Sequence, residues 1–327
     1  MTTRRQALVV LGASALASLA AVAKAQPRKV FRIGFVGAGV SAGDTRLQAL
    51  QAGLRDLGYI EGGNVVYESR WAEGKFERLE DLMAEMVRLK VDVIVTHTTP
   101  GALAAKRAGV TIPVVAAAFA EPVRAGVATS LSRPGGNITG GIFFSEELNA
   151  KLIALLKEVL PQLTRAAFLF GSPDDKSNQL QFEKVAATGK HLKINVQKFN
   201  VLSSAEIADT MAAIVKQQVG AMAMTSIPVL YDNAKIIADL AIKNRLAAAG
   251  PPNFAEAGGL LGYGVNINEM FRRSAVVVDK ILKGTKPGDI PIEQAAKFEL
   301  VVNMKTAKTL GIRIPRSVLV QATKVIE

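Results

Sequence analysis

The side chains best suited to hold something small gather just beyond short apolar runs. Thr98-Thr99-Pro100 follows Val91–Thr96, and Glu121-Pro122 follows Pro113–Ala117. Ser172-Pro173-Asp174-Asp175 follows Arg165–Phe170, and Thr225-Ser226-Ile227-Pro228 follows Gly220–Met224. A hydroxyl ahead of a proline reads as a helix start. The oxygen of Thr99 or Ser172 would accept from an amide two or three residues on, and proline suits the first helical position because its missing donor goes unused there. Spare amides and the dipole at such starts attract an anion, worth about 0.3–1 kcal/mol, or ~2 when partly buried. Asp174 and Asp175 already place negative charge at one start, which leaves Thr98-Thr99 as the better anion seat. Any one of these turns is equally a capped helix that needs nothing else. Glu121 either pairs with an ammonium group or caps a turn; Trp71 either stacks on a ligand or packs.

Catalytic and cofactor patterns are thin. The two histidines, His97 and His191, are too few for a multi-histidine metal site, and with no cysteine there is no thiolate ligand or thiol nucleophile. Asp174-Asp175 lacks the further spaced acids of a calcium loop, and no G-x-S-x-G elbow occurs. His97, at a strand end, either touches a ligand or is a satisfied polar residue. Gly37-Ala38-Gly39-Val40-Ser41-Ala42 fits the dinucleotide turn pattern, but the acid due about 20 residues later, at the end of the second strand, is missing. Asp56 falls inside a helix and Glu68 comes too late. A small-residue turn containing Ser41 and lining a cleft is the better reading, with no cofactor and no metal expected.

Short apolar runs alternate with amphipathic stretches. Strands are expected at 30–36, 64–69, 91–96, 113–117, 165–170, 194–199, 220–224 and 246–249, with helices at 45–57, 76–89, 101–108, 146–159, 175–192, 205–217 and 231–244. That alternation predicts βαβ units and parallel sheets covered by helices on both faces. One strong interruption, rich in glycine and proline between Glu121 and Gly141, divides the pattern into two similar α/β lobes. A weaker break runs from Gly250 to Gly259. The tail adds a strand at 297–303 and a helix at 306–311, enough for the chain to cross between lobes more than once.

The first 25 residues read as an export signal: Arg4-Arg5, a 16-residue apolar run from Ala7 to Val22, then Ala23-Lys24-Ala25. The run falls short of the roughly 20 residues a spanning helix needs. Cleavage is expected between Ala25 and Gln26. The arginine pair fits both a twin-arginine signal and an ordinary secretory one. Removing 25 of 327 residues leaves 302, enough for two lobes. Net charge falls from +12 to +9 as Arg4, Arg5 and Lys24 leave. The remaining basic residues are scattered among acids rather than blocked with aromatics, which argues for a solvated surface and against nucleic acid. Export itself argues against roles that need cytoplasmic NAD or ATP.

Several segments resemble the tryptophan/tyrosine-type substrate-binding proteins of ABC transporters. They include Gly53-Leu54-Arg55-Asp56-Leu57-Gly58-Tyr59, Arg70-Trp71-Ala72-Glu73-Gly74, Ser132-Arg133-Pro134-Gly135-Gly136-Asn137, Glu256-Ala257-Gly258-Gly259-Leu260, Phe271-Arg272-Arg273 and Lys297-Phe298-Glu299-Leu300-Val301-Val302-Asn303. The resemblance covers nearly the whole chain after residue 25. It implies a type I periplasmic binding protein: two Rossmann-like lobes, a multi-crossing hinge, and a solute bound in the cleft for delivery to a permease and its ATPase. Lobe 1 is expected at 26–141 and about 265–297, lobe 2 at 142–264 and about 298–327. In this scheme Thr98 and Thr99 hold an anionic group and Glu121 a cationic one. Ser172, Asp174, Ser226 and Glu256 contribute from the second lobe, while Trp71 and Phe254 supply apolar walls and Ser41 lines the first-strand turn. The chain departs from the family in having Glu121-Pro122 where Asp-Pro is common and Ser172-Pro173 where Asn-Pro is common. The expectation is a soluble, monomeric periplasmic receptor for an amino acid or related polar solute, and not an enzyme. A sensory module docking on a membrane receptor and an exported α/β enzyme are the alternatives.

Overall fold

The computed structural model describes residues 29–39, 44–143, 145–172 and 176–327. The expected leader with its Ala25–Gln26 junction, Ser41 and Asp174 lie outside the described residues. Among those described, no helix is long and apolar enough to cross a membrane.

Two sheets form, each with helices on both faces. The first holds six strands in the order β11 (Glu293–Gln294), β5 (Ile138–Ile142), β4 (Val114–Phe119), β3 (Val93–Thr96), β1 (Phe31–Gly37) and β2 (Val65–Trp71), all parallel. The second holds seven: β13 (Lys324–Ile326), β12 (Glu299–Asn303), β10 (Leu261–Gly264), β9 (Ala247–Gly250), β8 (Ala221–Met224), β6 (Arg165–Phe170) and β7 (Asn195–Asn200). Only the β10–β12 pairing is antiparallel. Strands buried on both faces explain why their sequences are continuously apolar. In β1, Ile33 and Phe35 enter a core with Leu50, Leu54 and Phe271, while Val36 enters another with Met83 and Met86. In β6, Phe168 and Phe170 face one core, Ala167 and Leu169 the other.

The expected strands are all present, displaced by a residue or two at their ends. The segment expected to be one long interruption contains β5, which still belongs to the first sheet. The chain passes between sheets near Phe143, again at Val265-Asn266, and a third time over residues 295–298. The weaker break holds the short helix Pro252–Glu256 and β10. The expected helix at 231–244 is two helices, Pro228–Asp232 and Ala234–Lys243, meeting at Asn233.

The sixteen-residue helix Ile267–Leu282 has no counterpart in the periodicity reading. It returns the chain to the first lobe and packs along the helix Thr45–Asp56. Gly53 is the point of closest approach: a Cβ there would sit 2.3 Å from the Arg272 carbonyl oxygen. Replacing Gly53 with alanine gains up to about 1 kcal/mol of helix propensity. Overpacking against an unyielding backbone costs about 1–3 kcal/mol. Gly53→Ala is therefore expected to be net destabilising, lowering the thermal unfolding midpoint by a few degrees. A raised midpoint would show that the two helices can move apart freely.

Candidate functional site

Parallel strands deliver their following loops to one edge of each sheet, and those carboxyl edges are where open α/β sheets bind ligands. Here the two edges meet. Asp44, seven residues beyond the end of β1, caps the helix Thr45–Asp56 by accepting from the Arg46 amide (3.0 Å). The same carboxylate takes the Arg46 side-chain Nε (2.8 Å) and, on its other oxygen, the indole N–H of Trp71 (2.8 Å). Arg46 Nη2 reaches across to Asp232 of the second lobe, 3.1 and 3.3 Å from its two oxygens. The Arg46 side chain is only 5% exposed and that of Asp232 12%. Burial opposes the Arg46 charge, but the carboxylates of Asp232 and Asp44 more than offset it and hold the guanidinium above its ordinary pKa. Asp44 likewise suffers from burial, yet Arg46 and the Trp71 indole hold its carboxyl below the usual range. The Tyr231 ring stands 6.0 Å from the guanidinium, and its phenol is pushed up chiefly by burial.

The first-strand turn makes this approach possible. A Cβ on Gly39 would fall 1.9 Å from an Asp232 oxygen, and one on Gly37 would strike the Trp71 ring at 2.6 Å. The glycine pattern that resembles a dinucleotide turn thus admits a tryptophan and a carboxylate from the other lobe.

A second cluster lies beyond β3 and β4. Thr98, not Thr99, is the helix cap: its hydroxyl accepts from the Gly101 amide (3.2 Å). Its backbone lies at φ 67°, ψ 152°, a region where non-glycine residues carry about 1–3 kcal/mol of strain and which concentrates at functional sites. Thr99 is the first helical residue, and its hydroxyl donates to the Ala120 carbonyl (2.6 Å) and accepts from the Ala120 amide (3.2 Å), bracing β3 against β4. Both hydroxyls are therefore engaged within the protein. Glu121, also at positive φ (48°), pairs with Arg124, which reaches Glu146 of the second lobe at 3.4 Å. Burial first, then the Glu146 and Glu147 carboxylates, raise the Glu121 pKa against the pull of Arg124.

The second-lobe residues scatter. Ser172 lies four residues before the helix Lys176–His191, and its carbonyl accepts from the Asn178 side-chain amide (3.1 Å). Ser226 lines a void of about 10 Å³, room for one water, with Phe143, Asn149, Pro251 and Tyr263 beneath the crossings. Phe254 is fully buried inside the second lobe, its ring over Gly259 and its Cβ against Gly250, so it is core and not a cleft wall. Glu256 is directed to the sheet margin, paired with Lys324 of the edge strand at 2.5 Å. Trp71 stays with the site, half-buried and 5.9 Å from Phe35.

Among the described residues, the buried side-chain polar atoms without a hydrogen-bond partner belong to three residues: both ring nitrogens of His97, the Thr225 hydroxyl and the Asn253 carbonyl oxygen. All three follow strand ends, β3, β8 and β9. An unsatisfied buried polar group costs about 1–3 kcal/mol, so their gathering at the two carboxyl edges suits a polar guest. Arg46, Asp232, Thr225 and Asn253 were not singled out as site residues in the sequence. Only the position of Thr225 at the end of an apolar run marked it.

Residues 40–326 match the family of ABC transporter substrate binding proteins. A curated relative, the tyrosine-binding protein of Clostridioides difficile strain R20291, is 24% identical over 262 residues, covering 80% of this chain and 74% of its own. The Streptococcus pneumonia ABC domain solved in complex with L-Trp superposes with a TM-score of 0.81 at 26% identity, over 91% of this chain and all of that one. A conserved domain protein from Vibrio cholerae O1 biovar eltor strain N16961 gives a TM-score of 0.82 at 25% identity, with the same coverage. Type I periplasmic binding architecture follows from these matches.

His97 makes the site pH-sensitive. Complete burial, aided by the nearby Arg46 charge, pushes its pKa from 6.5 down to about 3, so it is neutral when folded. Below pH 6.5 the unfolded chain binds a proton that the folded one refuses. The stability contribution is thus complete above pH 6.5 and is lost as pH falls towards 3, by up to about 1.4 kcal/mol per pH unit. Asp44 adds loss of the same sign only below its ordinary 3.8, and Glu121 opposes it near 4.5. Unfolding midpoints between pH 6.5 and 5 should fall in the wild type and flatten in His97→Gln. Parallel slopes would mean that His97 takes up a proton without cost.

Proposed function

We propose, from the premise that this chain belongs to the family of ABC transporter substrate-binding proteins, that it is the solute receptor of an uptake system. Its ligand is a small polar molecule, an amino acid or a related compound, held where the carboxyl edges of the two sheets meet. The observation that carries this reading is the gathering of orphaned polar groups on His97, Thr225 and Asn253 at those edges. A guest with donors and acceptors of its own would satisfy them. The family resemblance to tyrosine- and L-Trp-binding proteins supports an amino acid, and the half-buried Trp71 offers an aromatic face beside the Arg46 cluster.

Glu121 is the acid available to an amine. Its carboxyl already shares Arg124 with Glu146, and its raised pKa reflects burial first and then crowding by the Glu146 and Glu147 carboxylates. A ligand ammonium would relieve that crowding. The strained turn at Thr98 fixes the first-lobe rim, with Thr99 tying it to Ala120. Ser41 and Asp174, which follow β1 and β6 in the sequence, belong to the proposed ligand-binding set. The leader ending at Ala25 supports a periplasmic location, where a receptor free of a lipidated cysteine would diffuse to a permease and its ATPase. Binding and release, with no turnover, is the whole of its chemistry in this reading.

A thermal-shift screen of amino acids, small aromatic acids and nucleosides tests it. A true ligand at a hundred times its Kd should stabilise the protein by about 2.7 kcal/mol. Absence of any shift across the three classes would sink the reading. For any amine-bearing hit, Glu121→Ala should weaken binding by about tenfold, corresponding to one charge-assisted hydrogen bond. Unchanged affinity by calorimetry would remove Glu121 from the site.

A further inference from the structure

Arg46 and Asp232 stand 186 residues apart in sequence and on opposite lobes, yet they form one of the most protected ion pairs in the molecule. The helix start after β1 supplies the guanidinium, and the short helix after β8 supplies the carboxylate. Gly39, lacking a Cβ, leaves room for the carboxylate to arrive. The other ion pair between lobes among the described residues, Arg124–Glu146, has side chains 51% and 26% exposed and spans 3.4 Å. Solvent and salt screen such an exposed pair to near zero net value, whereas a buried pair is screened much less. Among the described residues, charge–charge attraction between the lobes is therefore concentrated at Arg46–Asp232.

The crossings are not packed on every side. A groove of about 320 Å³ lies behind them, between the helix Ile267–Leu282 and β5, lined by Gly141, Val265, Met270, Ala295 and Lys297 among others. Close packing is what holds elements at one angle, and here part of that packing is missing on the side where the chain changes lobes.

We propose that Arg46–Asp232 is a closure bond. Made from the protein's own groups, it draws the lobes together before any solute arrives and so sets the open–closed balance on which solute affinity depends. When the lobes separate, both charges rehydrate, and Arg46 keeps Asp44 as an ion-pair partner in its own lobe. Opening is thus reversible and leaves no lone buried charge. Apparent solute affinity scales with the fraction of protein already in the binding-competent form. Asp232 is accordingly a positioning residue, acting on the solute through the lobe angle. This rests on the reading that the lobes close on a solute, but its test needs no solute.

The natural chain has no cysteine, so a single pair introduced at the exposed positions Gln48 and Ile236 can be labelled cleanly, one on each lobe. Interlobe distance distributions by electron–electron resonance would then be compared without added ligand. The parent should show a short-distance population, and Asp232→Asn, which keeps the side-chain shape and leaves Arg46 paired with Asp44, should lower the closed-to-open ratio about tenfold, the loss of one charge-assisted bond. Arg46→Lys should act in the same direction through loss of the guanidinium fork. Arg124→Gln should leave the distribution where it was. Identical distributions in the parent and Asp232→Asn would overturn the proposal, as would an equal shift in Arg124→Gln. Unfolding midpoints of each variant separate a changed lobe angle from a damaged fold. A shift on Asp232→Asn together with no solute binding at all would retain the closure bond and discard the receptor reading. Solute binding with no shift would do the reverse.

Discussion

One buried cation organises the meeting of the two lobes. Moving a guanidinium out of water costs several kcal/mol even in a relaxed protein interior, and that is recovered only by well-placed counter-charges. Arg46 has two, and nearly every unusual feature nearby follows from supplying them. Asp44 must stand at the helix start, so it caps the helix and accepts the Trp71 indole with its second oxygen. Gly39 must lack a side chain so that Asp232 can reach the guanidinium. His97 must stay neutral, because burial and the adjoining positive charge both refuse it a proton. Neutralising Arg46 is the common reason for the carboxylates of Asp44 and Asp232 and for the missing side chain at Gly39.

The rest of the site depends on sheet direction. Because all six strands of the first sheet run parallel, β1, β3 and β4 end at one edge, and their loops arrive together. Thr98 accepts a strained backbone there, held by its own cap bond and by its amide on the Ala118 carbonyl (2.9 Å). Thr99 then stitches the neighbouring loop through Ala120. The hydroxyls that looked free to hold an anion are structural bonds that brace the rim.

How much of this was legible in the sequence differs by range. The βα alternation was readable because strands buried on both faces are continuous apolar runs, and local periodicity is all that requires. β5 and β10 escaped because Ile138–Ile142 and Leu261–Gly264 each carry two glycines, which suggest turns. In β5, Gly140 and Gly141 instead bring the backbone close to β4, where a Cβ on Gly140 would meet the Ala116 carbonyl at 1.9 Å. The helix Ile267–Leu282 was legible in principle: Asn266 caps it, and Ile267, Phe271, Ala275, Val278 and Ile281 recur at helical spacing with Arg272 and Arg273 on the exposed side. Phe254 read as a ligand wall since an aromatic beside a loop invites that, yet its ring fills the space left by two glycines in its own lobe. Arg46 and Asp232 carried no local signal at all. A charged residue in a first helical turn looks like solvated surface, and only the folded chain brings its partner to 3.1 Å. Family resemblance reaches further than periodicity, since it reports the whole architecture, but the departures at Glu121 and Ser172 limit what it says about the pocket.

Two terms bear on the closed arrangement. The Arg46–Asp232 bond favours contact between the lobes with no guest present, at roughly 1.5–3 kcal/mol for a hydrogen bond to a charged group. The orphaned atoms of His97, Thr225 and Asn253 each cost about 1–3 kcal/mol while unmatched, a cost that a guest can remove. Summed over the three residues, the unmatched groups cost at least as much as the one bond contributes, so a guest that pairs with them has a real cost to remove. A solute that satisfies even one or two of the orphaned groups removes part of the cost and leaves the bond's contribution intact. The differential affinity needed to drive closure then comes mostly from groups the protein already buries, and a small ligand with few atoms suffices. A receptor that must also release its cargo gains from the same arrangement, since release requires the loss of only a few hydrogen bonds.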